Sequence, residues 1–254
     1  MIRRLPGSVL LALAVVALAA PARAQTPAEI LEKMDACNND YDDVTMNTTM
    51  TIVDIDGSKK SYDFVVKQNR AQKMLLRFVT GEVKGMATLI EDRNHMYVYL
   101  PGMKKTRRVA AHAMNQSFAG SDFSNDDMAS QALAKIYEAT LQGEDATHWL
   151  LKLTPKAGEK VDYGYGVAKV KKGTFQEDGL QWFDPDGKPM KTFVNGSSRD
   201  FTGKDGRVVP RNTKVSLTDE RTKHRTELDI HDFKFNQGMP ESTFTQRELE
   251  WGSN

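Results

Sequence analysis

Val44-Thr45-Met46-Asn47-Thr48-Thr49-Met50-Thr51-Ile52-Val53-Asp54 is the stretch that decides the fold. Val44, Met46, Met50 and Ile52 fall on one side of an extended chain and Thr45, Asn47, Thr49 and Thr51 on the other, which is the period of a half-buried strand. Asp56-Gly57 follows and supplies the residue pair a tight hairpin prefers. The alternation returns in Tyr62, Phe64 and Val66, in Met74, Leu76 and Phe78 against Lys73 and Arg77, and in Met96, Val98 and Leu100 before Pro101-Gly102 turns the chain. It resumes in Trp149, Leu151 and Leu153, in Leu180, Trp182 and Phe183, from Val208 to Leu217, and from Arg225 to Phe235. Asp-Gly pairs at 56, 178, 186 and 205 read as turns of an antiparallel meander.

Two segments leave this rhythm. Thr26-Pro27-Ala28-Glu29 has the capping-box order, and Ile30, Leu31, Met34, Cys37 and Tyr41 recur at helical spacing, so a helix with one apolar face should run from Thr26 to about Tyr41. Ala110 to Gly143 has no strand alternation and is rich in Ala, Ser, Asp and Asn, with Met114, Phe118, Phe123, Met128 and Leu133 irregularly spaced. That pattern predicts loops and short helices lying over one face of the sheet. Hydrophobic residues make up 39% of the chain, too few to pack both faces of so large a sheet.

Arg3-Arg4, the apolar run Val9 to Ala20 and Ala22-Arg23-Ala24 read as a secretory leader cleaved after Ala24. The expectation is an exported, periplasmic protein in which residues 25–254 form a single domain. Gln25, where lipid attachment would need Cys, argues against an anchor. With 35 Lys and Arg against 34 Asp and Glu, the chain lacks the basic excess of a nucleic-acid binder. The single cysteine, Cys37, precludes an internal disulfide or a multi-Cys metal site and reads as a small buried hydrophobe. No nucleophile elbow, zincin helix, phosphate loop or dinucleotide turn is present, and the five histidines lack ligand spacing. No enzyme activity, metal or cofactor is expected. Asp54 to Gly57 and Asp184 to Gly187 lack the later ligands of a calcium loop and read as turns.

Methionine stands out at 12 residues. Met46, Met50, Met74 and Met96 share the apolar phase of their strands, where thioethers either fill core gaps or line a concavity that adapts to alkyl chains. In Lys104-Lys105-Thr106-Arg107-Arg108, Lys105 and Arg107 share one phase. The cluster reads as solvated surface, as a contact for anionic lipid heads or a partner, or as one half of a latch whose other half is Asp122, with Asp126 and Asp127.

Gly85 to Ile90, Glu91-Asp92-Arg93-Asn94, Met96 to Pro101, Lys104-Lys105, Arg107-Arg108-Val109, and Ser117-Phe118-Ala119-Gly120-Ser121-Asp122-Phe123-Ser124 together resemble the outer-membrane lipoprotein-sorting (LolA-like) family. Asp184 to Lys188, His224-Arg225-Thr226, Phe233 to Asn236 and Pro240 to Phe244 extend the likeness. The resemblance implies a mainly β fold with covering helices: a curved antiparallel sheet forming an incomplete, half β-barrel with a helical lid, as in LolA and LolB. It also implies a periplasmic carrier that shelters the acyl chains of a lipid or lipoprotein between the inner and outer membranes. The alternative within the resemblance is a non-transporting, lipid-sensing regulator or adaptor beside an inner-membrane RND/MMPL-type exporter, and an outer-membrane acceptor is a further implied partner. The candidate lipid-binding wall is Met46, Met50, Ile52, Tyr62, Phe64, Met74, Leu76, Phe78, Met96, Val98 and Leu100. Phe118, Phe123 and Met128 are the candidate lid, and Lys105, Arg107, Arg108 and Asp122 the candidate latch or docking group.

Overall fold

A computed structural model describes residues 25–129 and 132–251, so the leader read at 1–24 lies outside the described residues. Helix α1 (Pro27–Asn38) starts on the expected box: Glu29 N–H donates to Thr26 Oγ1 at 3.2 Å, and Thr26 N–H donates to the Glu29 carboxylate at 2.8 Å. Two otherwise orphaned donors are satisfied in this way. Ile30, Leu31 and Met34 are buried. The helix stops short of Tyr41, which is buried beyond it, edge-on to Phe233 at 5.9 Å. Cys37 is only half-buried, a correction to its reading as a core residue.

From β1 (Asp43–Val53) the chain pairs antiparallel through β2 (Lys59–Asn69), β3 (Met74–Phe78), β4 (Ala87–Asp92), β5 (His95–Leu100) and β6 (Lys105–Arg108), stepping outward to one edge of the sheet. Residues 109–136 follow, carrying α2 (Asn125–Ala129) and α3 (Leu133–Ile136). The chain re-enters at the opposite edge with β7 (Tyr137–Glu144) and returns through β8 (His148–Pro155), β9 (Tyr165–Lys171), β10 (Glu177–Phe183) and β11 (Pro189–Asn195). After the separate hairpin β12 (Ser198–Thr202) and β13 (Val208–Asn212), strands β14 (Lys214–Asp219) and β15 (Arg225–Phe235) complete the sheet beside β1. The result is a 13-stranded curved antiparallel sheet whose edges β6 and β7 do not pair, an incomplete barrel. The segment joining the edges β6 and β7 packs its Met114, Phe118, Phe123 and Met128 on the sheet's inner face. Its described residues, 109–129 and 132–136, therefore form a cover.

Several boundaries differ from the expectations. Tyr137–Glu144 is strand and not part of the helical insertion. Val208 to Leu217 is two strands in two different sheets, parted at Thr213. Three Asp-Gly pairs are turns, with φ of +83°, +81° and +80° at Gly57, Gly187 and Gly206. Asp178-Gly179 is not: it lies inside β10 beside a register shift, and the preceding turn uses Gly173 at φ +85°.

The inner face is covered along its length. The insertion packs on β1 to β5, while α1 packs on β8 to β10 through Leu151, Leu153, Ala168, Val170, Leu180 and Trp182. The β12–β13 hairpin brings Phe201 and Val209 onto Val44, Phe233 and Phe235. The sheet is double-sided where α4 (Gln246–Trp251) and Phe244 bury Leu75, Ala87 and Leu89 on the outer face. There Arg77 donates to the carbonyls of Glu248 and Leu249 near the end of α4.

Candidate functional site

Cross-strand register assembles most of the candidate wall into one surface. Met50 faces Tyr62, Phe64 faces Phe78, Val66 sits between Met46 and Leu76, and Ile90 between Met74 and Met96. Met50, Ile52, Tyr62, Phe64, Met74, Leu76, Phe78 and Met96 form one buried cluster, with Met46 partly buried against it. Val98 and Leu100 share the phase of Met96 but stay half-exposed near the β6 edge, outside that cluster. Val66, Ile90 and Leu217 complete the cluster; Val66 is on the apolar phase of its strand, but none of the three is named in the candidate wall.

The lid residues plug this surface. Phe118 stacks on Phe78 with ring centroids 6.0 Å apart, Phe123 meets Phe193 edge-on at 5.8 Å, and Met128 packs beside them. The wall is thus occupied by the protein's own side chains.

Three carboxylates fasten the lid, each to a different part of the sheet. Asp122 lies 2.8 Å from His224 Nδ1 and accepts from Thr226 Oγ1 at 2.7 Å. Asp126 accepts two hydrogen bonds from Arg93, at 2.8 and 3.0 Å, and the same guanidinium donates to Glu159 and to the Lys160 carbonyl. Hydrogen bonding to Asp126 raises the Arg93 pKa. Asp127 accepts from Lys191 Nζ at 2.6 Å and from the Tyr163 hydroxyl at 2.7 Å, and the side chains of Lys191 and Asp127 are only 9% and 7% exposed. Burial, with Asp127 adding to it, drives the Tyr163 phenol above its ordinary range.

Asp122 thus bonds to His224 and Thr226 and not to the basic cluster read as the other half of its latch. Arg108 donates to the Asn94 carbonyl, Arg107 reaches only the Met103 sulfur, and Lys105 is exposed. The reason is topological: β6 is the outermost strand, and the insertion leaves it to run inward. A carboxylate over an apolar face needs a partner from the rim of that face.

Several openings adjoin the described part of the lid. A cleft of about 930 Å³ opens between 90–94, 111–115 and 158–162, with Ile90, Met114, Ala129, Ile136 and Val161 among its walls. This volume lies within the 300–1,000 Å³ usual for small-molecule sites. A recess of about 410 Å³ lies beside Asp122 and His224. A cavity of about 190 Å³ remains under the lid, between Met34, Phe123, Leu133, Trp182 and Phe193.

Asp35 and Glu177 also face the smallest cavity. Burial raises the Asp35 carboxyl to about 6 and the Glu177 carboxyl to about 7. The unfolded chain releases both protons at lower pH than the folded one, so their contribution to stability falls as pH rises from about 4 to about 7 and is constant above that. Asp145 and Asp205, held at about 2, act below this window. Urea midpoints should thus decline between pH 5 and 7, and Glu177→Gln should flatten that decline. An unchanged slope in the variant refutes the assignment.

Among the described residues no group of three or more His, Cys, Asp or Glu is placed to hold a metal, and no helix is long and apolar enough to cross a membrane. A family model described only as an uncharacterized protein family matches residues 70–251, most of the chain. The chain belongs to that family, and its fold is LolA-like. A domain described as an outer membrane lipoprotein-sorting protein, from Vibrio parahaemolyticus, superposes with a TM-score of 0.79 at 20% identity, covering 88% of this chain and 98% of that one. A DUF1329 family protein from Desulfovibrio piger also gives 0.79, at 21% identity over 89% of this chain and all of that one. A LolA superfamily protein from Nitrosomonas europaea gives 0.72 at 20% identity, over 89% of this chain and 100% of its own. No curated protein matches the sequence. At these identities the LolA-like neighbours establish the fold, and the chemistry has to be argued from the site.

Proposed function

We propose that this protein is a periplasmic binder and carrier of lipid or of an acylated lipoprotein, holding acyl chains against the inner face of the half-barrel when the lid lifts. The observation that carries the reading is the pairing of a broad apolar face with a cover fixed by discrete polar struts. Well-packed apolar residues in place of a buried ion pair are often as stabilising or more so, so polar struts are not what a permanently shut cover requires. The Met-rich wall suits chains of varying shape.

Each exposed methylene costs about 0.8 kcal/mol in water, so an acyl chain of about sixteen carbons faces a penalty above 10 kcal/mol. Exchanging lid side chains for acyl chain on the same surface removes most of that penalty without any bond being made or broken, so the proposal includes no enzymatic step. The test is native mass spectrometry of the protein isolated from its host's envelope. The expected result is a co-purifying species of acyl-lipid mass. A protein that emerges empty, and that takes up no phospholipid or fatty acid from vesicles, contradicts the reading.

A further inference from the structure

Antiparallel connectivity brings the β1–β2 hairpin tip (54–58), the β3–β4 loop (79–86) and the β5–β6 turn (101–104) to the same end of the sheet. Two strand spacings part neighbouring tips, a separation of about 10 Å. The last two abut, since a Cβ on Gly85 would stand 3.5 Å from the Pro101 ring. Each tip exposes one large apolar side chain: Ile55 at 75%, Val79 at 41% and Met103 at 48%. The turns at the other end of these strands, 70–73 and 93–94, hold no exposed large apolar residue.

One exposed apolar residue needs no explanation, but three on consecutive tips form a rim. Lys59, Lys60, Lys84, Lys104, Lys105 and Arg107 surround it, all exposed. Among the described residues none of the six takes part in an ion pair, and the hydrogen bond of Arg107 there is to the sulfur of Met103. The acidic residues near them are fewer: Asp54 and Asp56, which accept backbone N–H groups of their own turn, Glu82, and Glu250, which accepts from the Thr106 hydroxyl between Lys105 and Arg107.

We propose that this end of the sheet docks on an anionic lipid bilayer, with Ile55, Val79 and Met103 entering the headgroup boundary and the six cations meeting lipid phosphates. Apolar tips among unpaired cations are the composition that binds such an interface, since burial of the tips and attraction to surface charge act together. Ile55 also lines the recess beside Asp122 and His224, which places the membrane contact next to one strut of the lid. The inference stands apart from the carrier reading, because a protein that carries nothing could still dock in this way.

Flotation of the purified full chain with phosphatidylcholine vesicles, with and without phosphatidylglycerol, tests it. Binding to the anionic vesicles should be about tenfold stronger and should weaken as salt is raised. The triple variant Ile55→Ser, Val79→Ser, Met103→Ser should bind about tenfold more weakly, and Lys104→Glu with Lys105→Glu should also lose binding. Leu141→Ser with Val194→Ser, which removes exposed apolar residues elsewhere, should bind as the parent does. All these positions are on the surface, and circular dichroism checks that each variant is folded. Equal binding to both vesicle types, no binding to either, an unaffected triple variant, or an equal loss in the Leu141 and Val194 control would each overturn the proposal.

Discussion

Lys191→Met should loosen the lid from the strand beneath it. The substitution leaves Asp127 buried at 7% exposure with its cation gone and only the Tyr163 hydroxyl and the Ser124 amide to satisfy it. Leaving one member of a buried pair uncompensated costs about 3–5 kcal/mol. The cost falls on closure of the lid, so hydrogen exchange of the Asp122 to Met128 amides should accelerate by about two to three orders of magnitude, up to the limit of a fully open lid. Asp127→Asn combined with Lys191→Met removes both charges and should restore most of the protection. If the single variant exchanges like the parent, the ion pair does not fasten the lid and the strut description fails.

This pair also shows where the sequence stops being readable. Lys191 lies two residues before Phe193 and shares its phase, so the inner position of Lys191 was available from alternation alone. Its partner was not, because Asp127 is 64 residues away in a segment with no regular period. The Arg93–Asp126 and His224–Asp122 struts span 33 and 102 residues for the same reason. Charged residues far apart in sequence look like solvated surface until topology brings them over an apolar face. The wall was legible because a period of two survives any tertiary arrangement, and the chain's likeness to its family gave the curvature and the lid. The outer cover was missed although Met74-Leu75-Leu76 and Leu89-Ile90 are apolar in both phases, the mark of a strand buried on two sides. Asp178-Gly179 misled because turn residues inside a strand can also serve a bulge, and that distinction needs the register.

Phe123→Ala should weaken the protein and strengthen its grip on lipid. Phe123 is 8% exposed, meets Phe193 edge-on and reaches both the recess beside Asp122 and the cavity under the lid. Truncating a buried phenylalanine costs about 3–5 kcal/mol, part of it for the void left behind. If lid and acyl chain compete for one surface, energy removed from lid closure is returned to the ligand, at about tenfold in apparent affinity for each 1.4 kcal/mol. The gain stops once the open lid is already the majority state, so about a hundredfold is the expected ceiling. Phe64→Asp acts on the wall itself, placing a carboxylate where Phe78 packs, and should abolish lipid uptake, whereas Ser61→Asp on the outer face of the same strand should not. Fluorescent fatty-acid titration beside urea unfolding separates the terms. A Phe123→Ala protein that loses stability and affinity together would mean that Phe123 contacts the ligand and does not exclude it, and the competition between lid and cargo would have to be abandoned.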